Sequence, residues 1–338
     1  MKAIGFYRYL PIENEESLID LDIEKPTPSG HDLLVQVKAI SVNPTDVKSR
    51  APRDQREETP QILGRDVAGI VAQVGLECTL FQPGDEVYYA GSNMRPGGNS
   101  EFHLVDERIV GHKPQNLDFA QAAALPLTSL TALEGLFERL GISRNPATNK
   151  EKTILIIGAA GGVGSIATQL ASLAGLTVIG TVSRTESARW AREHGAAQTI
   201  NHTQAFVPQL KALGFPMVNY IFCLNSPNQH WSDIVESIAP QGKICSILPL
   251  DASANLSPLF QKSVTLAWEL MFTRPMFQTV DMIKQHKHLD ALARLVEAGK
   301  IQTTLTELLE PINAANLRVA HAKVESGKTI GKIVLANF

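Results

Sequence analysis

The 338-residue chain reads as an α/β protein in which a mainly β domain is interrupted by a doubly wound parallel sheet. Three observations predict this. Short strand-like runs broken by turns fill the first third. From Thr153 the order becomes strand, helix, strand, helix. The last residues, Gly331-Lys332-Ile333-Val334-Leu335, again read as a strand, one that returns to the first domain. Alternation of the middle kind implies a parallel sheet with helices on both faces. The expected boundaries are 1–126 plus 270–338 for the β domain and 127–269 for the inserted one, with the cleft between them as the expected substrate site.

In chain order, Leu33–Ile40, Val67–Val74 and Glu86–Ala90 carry strand character. Pro83-Gly84-Asp85 and Pro96-Gly97-Gly98-Asn99 punctuate them. Ala120–Arg139 is helical in character, divided by Pro126. Strands follow at Ile154–Ile157, Thr177–Val182, Gln198–Ile200, Val218–Leu224 and Lys243–Leu248, with helices around Gly164–Leu173, Ser187–His194, Thr203–Leu213 and His230–Ile238. Val264–Met271 reads as a last, edge strand, and Val280–Ala298 as an amphipathic helix closed by Gly299.

Composition excludes several function classes. Net charge is −3, from 31 Lys plus Arg against 34 Asp plus Glu, and no basic run suggests a nucleic-acid or membrane partner. Cys78, Cys223 and Cys245 are widely spaced and form neither a disulfide framework nor a clustered zinc site. No apolar stretch approaches a membrane span, and no signal-peptide pattern opens the chain, so a cytoplasmic protein is expected.

The chemistry begins at Gly158-Ala159-Ala160-Gly161-Gly162-Val163-Gly164, which follows the strand Thr153–Ile157 and opens a helix. Small residues let the backbone approach a pyrophosphate, and the free N–H groups of a helix start meet its charge. Ala159, Ala160, Gly161, Gly162, Val163 and Gly164 are therefore candidate cofactor-binding residues. An NAD site places Asp or Glu at the end of the second strand, about 20 residues on, to hold the ribose 2′-hydroxyl. Ser183 and Arg184 stand there instead. A hydroxyl and a guanidinium suit a 2′-phosphate, which favours NADPH. Glu186 reads as a first-turn helix acid; turned toward the ribose it would admit NADH. His202, at the end of the third strand, is a further candidate. Leu224-Asn225 and Leu248-Pro249 follow the fourth and fifth strands, where ligands of parallel sheets bind.

Taken together, Val42-Asn43-Pro44-Thr45-Asp46, Ile62-Leu63-Gly64-Arg65-Asp66-Val67-Ala68-Gly69, Phe81-Gln82-Pro83-Gly84-Asp85-Glu86-Val87, Ser100-Glu101-Phe102 and Ala124–Ala132 extend the pattern over nearly the whole chain. With the glycine turn and the terminal strand, the sequence resembles the medium-chain dehydrogenase/reductase superfamily. It is most similar to the quinone oxidoreductase branch and its zinc-type alcohol dehydrogenase-like group. The resemblance implies a GroES-like β domain and an inserted Rossmann domain. It also places three catalytic-zinc ligand positions at Asn43, Arg65 and Leu127. An amide, a guanidinium and a leucine do not make a zinc site, which needs three Cys, His or carboxylate ligands, so no metal is expected.

Without a Lewis acid, hydride transfer suits an acceptor that is already electron-poor, such as a quinone or an α,β-unsaturated carbonyl. The resemblance places Asn43 and Asp46 near the nicotinamide, with Asn43 as an expected substrate-orienting donor and Asp46 as an organiser of the local turn. Thr128 is a candidate for bonding the nicotinamide carboxamide or ribose. Lys48 and Arg50 are candidate cations, and Tyr89, Asn93, Met271 and Phe272 candidate pocket residues. No proton donor is evident. Two alternatives stay open: an enal or enone reductase without quinone activity, and a non-enzymatic NADPH-binding redox sensor. A small electrophilic substrate is the expected ligand, and a homodimer paired through Val264–Met271 the expected assembly.

Overall fold

The computed structural model describes every residue from Met1 to Phe338. The chain divides into two compact units, one formed by Met1–Leu127 with Phe272–Phe338, the other by Thr128–Met271.

In the first unit the strands are β1 (Lys2–Arg8), β2 (Ile19–Asp22), β3 (Asp32–Ser41), β4 (Arg56–Ile62), β5 (Asp66–Val74), β6 (Glu86–Tyr89), β7 (Phe102–Asp106) and β8 (Val110–His112). The return segment adds β15 (Leu305–Leu309) and β16 (Lys332–Ala336). One sheet has the order β2-β1-β4; the larger runs β15-β16-β3-β5-β6-β8, with β7 also paired to β3. β3 lies at its centre because Leu33, Leu34, Val35, Ala39 and Ile40 are all fully shielded from water. β16 is antiparallel to β3, with Val334 opposite Ser41. The Val42 N–H then donates to the Ile333 carbonyl at 3.2 Å. This register delivers Lys332 to the start of α1 (Pro44–Arg50). Two further helices, α2 (Phe119–Ala123) and α3 (Pro126–Leu133), lead out of the unit, broken apart at Pro126 as expected.

The second unit holds six parallel strands in the order β11-β10-β9-β12-β13-β14. They are β9 (Thr153–Ile157), β10 (Thr177–Val182), β11 (Gln198–Asn201), β12 (Val218–Cys223), β13 (Ile238–Ser246) and β14 (Thr265–Trp268). All five residues of β9 are buried, and each of its four aliphatic side chains is worth about 1.5–3 kcal/mol of transfer free energy. The helices are α4 (Gly162–Leu173), α5 (Thr185–Glu193), α6 (Phe206–Ala212), α7 (Trp231–Ser237) and α8 (Ser257–Gln261). Leu155, Ile157 and Ile221 join Phe206, Leu210, Trp231 and Ile234 in one core cluster that glues α6 and α7 to the sheet.

The strand order reverses at β9, which pairs with β10 on one side and β12 on the other. Such a switch point is where doubly wound sheets bind ligands. β14 is the edge strand anticipated within Val264–Met271, though only four residues pair. In the first unit, α9 (Thr273–Phe277) precedes α10 (Lys284–Glu297). The latter starts later than the sequence suggests, since Arg274 and Thr279 both bond Asp281 and hold a turn there. A last helix, α11 (Ala314–Glu325), packs against α1.

Candidate active site

The nucleotide cradle is assembled at the carboxyl edge of the parallel sheet. The Gly158 N–H donates to Thr181 Oγ1 at 3.0 Å and the Ala159 N–H to the Thr181 carbonyl at 3.3 Å, so the glycine turn is pinned to β10. Gly158 adopts φ +89°, a conformation that favours glycine. A Cβ on Gly164 would lie 2.1 Å from the Gly158 carbonyl oxygen, so only glycine lets α4 approach the turn this closely. The first intrahelical bond of α4 runs from the Ser165 N–H to the Gly161 carbonyl at 2.8 Å. The amides of Gly162, Val163 and Gly164 therefore lack an intrahelical acceptor and form an anion-binding end.

Around this cradle, Ser183 and Arg184 sit exposed at the end of β10, with Arg184 as the N-cap of α5 and Glu186 in its first turn. The His202 N–H donates to the Val182 carbonyl at 3.1 Å, which sets His202 beside them. Burial lowers the basicity of its imidazole. The Leu224 N–H bonds the Ile157 carbonyl at 3.1 Å, and the Asn225 amide group packs over Gly158. Leu248 is tied to Ser246, whose hydroxyl donates to its carbonyl at 2.7 Å, and Pro249 follows, exposed. These residues supply what a dinucleotide needs: unfilled amides, open backbone and a cationic side chain at the end of β10. Thr128 is 2 % exposed and lies inside α3 at its third position, not at its N-cap.

The other candidate residues form a buried polar cluster in the first unit. Asp66, fully enclosed at the start of β5, gathers four donors. Its Oδ1 accepts from the Leu127 N–H at 2.7 Å. Its Oδ2 accepts from Asn43 Nδ2 at 2.7 Å, Ser41 Oγ at 2.8 Å and Lys332 Nζ at 3.0 Å. Lys332 also donates to Asn43 Oδ1 at 2.5 Å and to the Val42 carbonyl at 3.0 Å. Asn43 is thereby committed within the protein: its amide hydrogens go to Asp66 and, at 3.5 Å, to the Ser41 carbonyl. The residue expected to polarise substrate has its hydrogens engaged here and acts as a brace. Asp46 ties two backbone amides together. Its Oδ2 accepts from the Asn43 N–H at 2.9 Å and its Oδ1 from the Gly64 N–H at 3.2 Å. Burial raises its carboxyl to about 6, against the pull of Arg65.

Other side chains turn away from a catalytic role. Arg50 is fully buried, donating to the Leu10 carbonyl at 2.6 Å, to Glu325 and to His321 Nδ1 at 3.4 Å. It ties α1 to α11 and is not a substrate cation, while Lys48 is exposed. Tyr89 lies wholly inside, 3.0 Å from His103 Nδ1. Burial holds that imidazole at about 4, and so neutral, and its Nε2–H donates to the Pro96 carbonyl at 3.0 Å. Met271 and Phe272 are core residues, and Asn93 Nδ2 donates to Met276 Sδ at 3.2 Å. Sequence reasoning missed Ser41, Asp66 and Lys332. Their signal was a charged pair within strand-forming runs, since charges at such positions stay buried only when matched.

The three zinc-ligand positions of the resemblance do not fit a zinc ion. No group of three or more His, Cys, Asp or Glu is arranged to hold a metal. Asp66 and Asn43 Oδ1 spend their lone pairs on Lys332 and its neighbours, and both Lys332 and Arg65 present positive charge. A dication has neither ligands nor a favourable field there.

A glycine turn at a strand-order switch point and a β domain joined by its own returning strand, in one chain, are the marks of a nicotinamide-dependent oxidoreductase. Comparison with known proteins agrees. Residues 29–126 match the alcohol dehydrogenase GroES-like domain and residues 194–335 the zinc-binding dehydrogenase family. A zinc-type alcohol dehydrogenase-like protein of Staphylococcus aureus is 42% identical over 335 residues, covering 99% of each chain. Two solved structures align over essentially the whole chain. A Rhizobium etli protein provisionally assigned as a zinc-dependent alcohol dehydrogenase is 49% identical, with TM-score 0.95 over 100% of this chain and 98% of the other. The Escherichia coli quinone oxidoreductase complexed with NADPH is 25% identical, with TM-score 0.81 over 99% and 100%. The chain belongs to the medium-chain dehydrogenase/reductase superfamily.

Proposed function

We propose that this protein is a zinc-independent, NADPH-dependent reductase of quinones or α,β-unsaturated carbonyls. The observation that carries the reading is that Asn43, Arg65 and Leu127 stand at the three zinc-ligand positions of the resemblance, with Asn43 bound to Asp66 and Lys332. A bound nicotinamide cofactor supplies hydride. The chain's residues bind and orient. Gly162, Val163 and Gly164 meet the pyrophosphate with their amides, and Ser183 and Arg184, with His202 beside them, favour a 2′-phosphate at the ribose. Asn225, at Gly158, and Leu248-Pro249 flank the cradle. Thr128 positions the nicotinamide. With no metal to polarise an alcohol, the acceptor must carry its own conjugation to delocalise charge onto oxygen.

The assembly we propose is a homodimer paired through β14, where Trp268 and the nearby Leu270 are each 50% exposed. No helix is long and apolar enough to cross a membrane, in keeping with a cytoplasmic enzyme. The test is NADPH oxidation against a panel of quinones, enones and simple aldehydes. Turnover is expected with the conjugated acceptors and not with the aldehydes. Saturable NADPH binding with no turnover on any acceptor would leave a cofactor-binding sensor.

A further inference from the structure

Arg65 is the one charged side chain of the buried cluster whose donors are not all used. It is 8% exposed, and burial lowers the basicity of its guanidinium. Nη1 donates to the Ser92 carbonyl and, at 3.2 Å, to the Arg95 carbonyl, which fixes the plane of the group. No carboxylate bonds it; Asp46 acts on it only through space and spends both oxygens on backbone amides. Nε and Nη2 have no partner within the protein, and neither is among the buried polar atoms sealed without one, so both keep some contact with solvent. Lys332, the other buried cation, has all three donors engaged. A guanidinium held by carbonyls, with a free fork and no paired anion, is preorganised for an oxygen that carries or gains negative charge.

We propose that Arg65 binds the substrate oxygen on which negative charge develops, and thus takes the electrophilic role of a metal. This rests on the reductase reading above. On accepting hydride at its β-carbon, an enone forms one C–H bond and shifts its C=C electron pair onto oxygen as an enolate, which solvent protonates at carbon. A quinone accepts the same two electrons and becomes a hydroquinone monoanion, which takes one proton from solvent. In both cases Arg65 donates hydrogen bonds to the anionic oxygen and keeps its own protons. The favoured substrates then have a carbonyl oxygen conjugated to the hydride-accepting carbon.

The experiment uses the full chain and three variants, Arg65→Met, Arg65→Gln and Arg65→Lys, with two readouts. In steady-state kinetics Arg65→Met is expected to lower kcat by on the order of 10²–10³. NADPH affinity should stay unchanged, and Arg65→Lys should recover part of the rate. In a binding titration on the NADP⁺-loaded protein, 4-nitrophenol serves as a coloured mimic of the hydroquinone anion. Its apparent pKa should fall by about one to three on binding to the parent chain. It should fall with Arg65→Lys and not with Arg65→Gln or Arg65→Met. Should Arg65→Met fail to fold, Arg65→Gln against Arg65→Lys decides the question, since both keep a donor and only one keeps the charge. Unchanged kcat in the neutral variants, or a rise in KM alone, overturns the proposal and leaves the reductase reading standing. An Arg65-dependent shift of the dye without turnover on any quinone or enone upholds the anion site and removes the substrate reading.

Discussion

Replacing Lys332 with methionine keeps most of the side-chain volume and removes one charge from the centre of the first unit. Three acceptors each lose a donor at once: Asp66 Oδ2, Asn43 Oδ1 and the Val42 carbonyl. Asp66 is 0% exposed, so water cannot replace the ammonium. Stranding one partner of a buried ion pair costs about 3–5 kcal/mol. Ser41, Asn43 and Leu127 still donate to the carboxylate, which places the expected loss at the lower end, about 3 kcal/mol. Trp190, Trp231 and Trp268 all lie in the other unit, so tryptophan fluorescence is the wrong probe. Amide hydrogen exchange along β3 and β16 reads the loss directly, as protection lower by about 10²-fold. In an Asp66→Asn background the same substitution should cost less than half as much, because the stranded charge is gone. A loss under about 1 kcal/mol, or an equal loss in both backgrounds, would refute the reasoning.

Two further predictions follow from the sites. Arg184→Ala should weaken NADPH binding by about 10–100-fold, the worth of a charge-assisted bond, and leave NADH binding unchanged; nucleotide fluorescence titrations measure both. Asp46 titrates near 6 in the fold, above the usual carboxylate value, so the folded state holds this proton more tightly than the unfolded one. Its contribution is fully present below about pH 4 and lost as pH rises to about 6. The total is about 3 kcal/mol. Denaturant unfolding of the parent and of Asp46→Asn across this window should show the difference between them shrinking by that order, and no shrinkage would contradict the burial argument.

Much of the fold was legible in the sequence because the inserted sheet is parallel and buried on both faces. Its strands are near-continuous apolar runs, and β9, β10 and β12 fall within a residue or two of the sequence reading. β2 and β15 were not, since each alternates half-buried and exposed residues over four or five positions and gives little periodic signal. The cradle was readable for a local reason: strand, glycine turn and helix are consecutive. The polar cluster is not local. Lys332 and Asp66 stand 266 positions apart and meet only because β16 pairs with β3, a register no short-range pattern encodes. The resemblance places Asn43 near the nicotinamide with its donor aimed at substrate; only the partner 23 positions on, Asp66, shows where the hydrogens go.

The central claim is that hydride reaches a conjugated acceptor without a metal. The most direct test is the rate of NADPH oxidation by a quinone, measured on protein dialysed against a strong chelator and again after zinc is added back. The account predicts one rate, unchanged by chelation and not raised by zinc. A rate that vanishes on chelation and returns with stoichiometric zinc would contradict it.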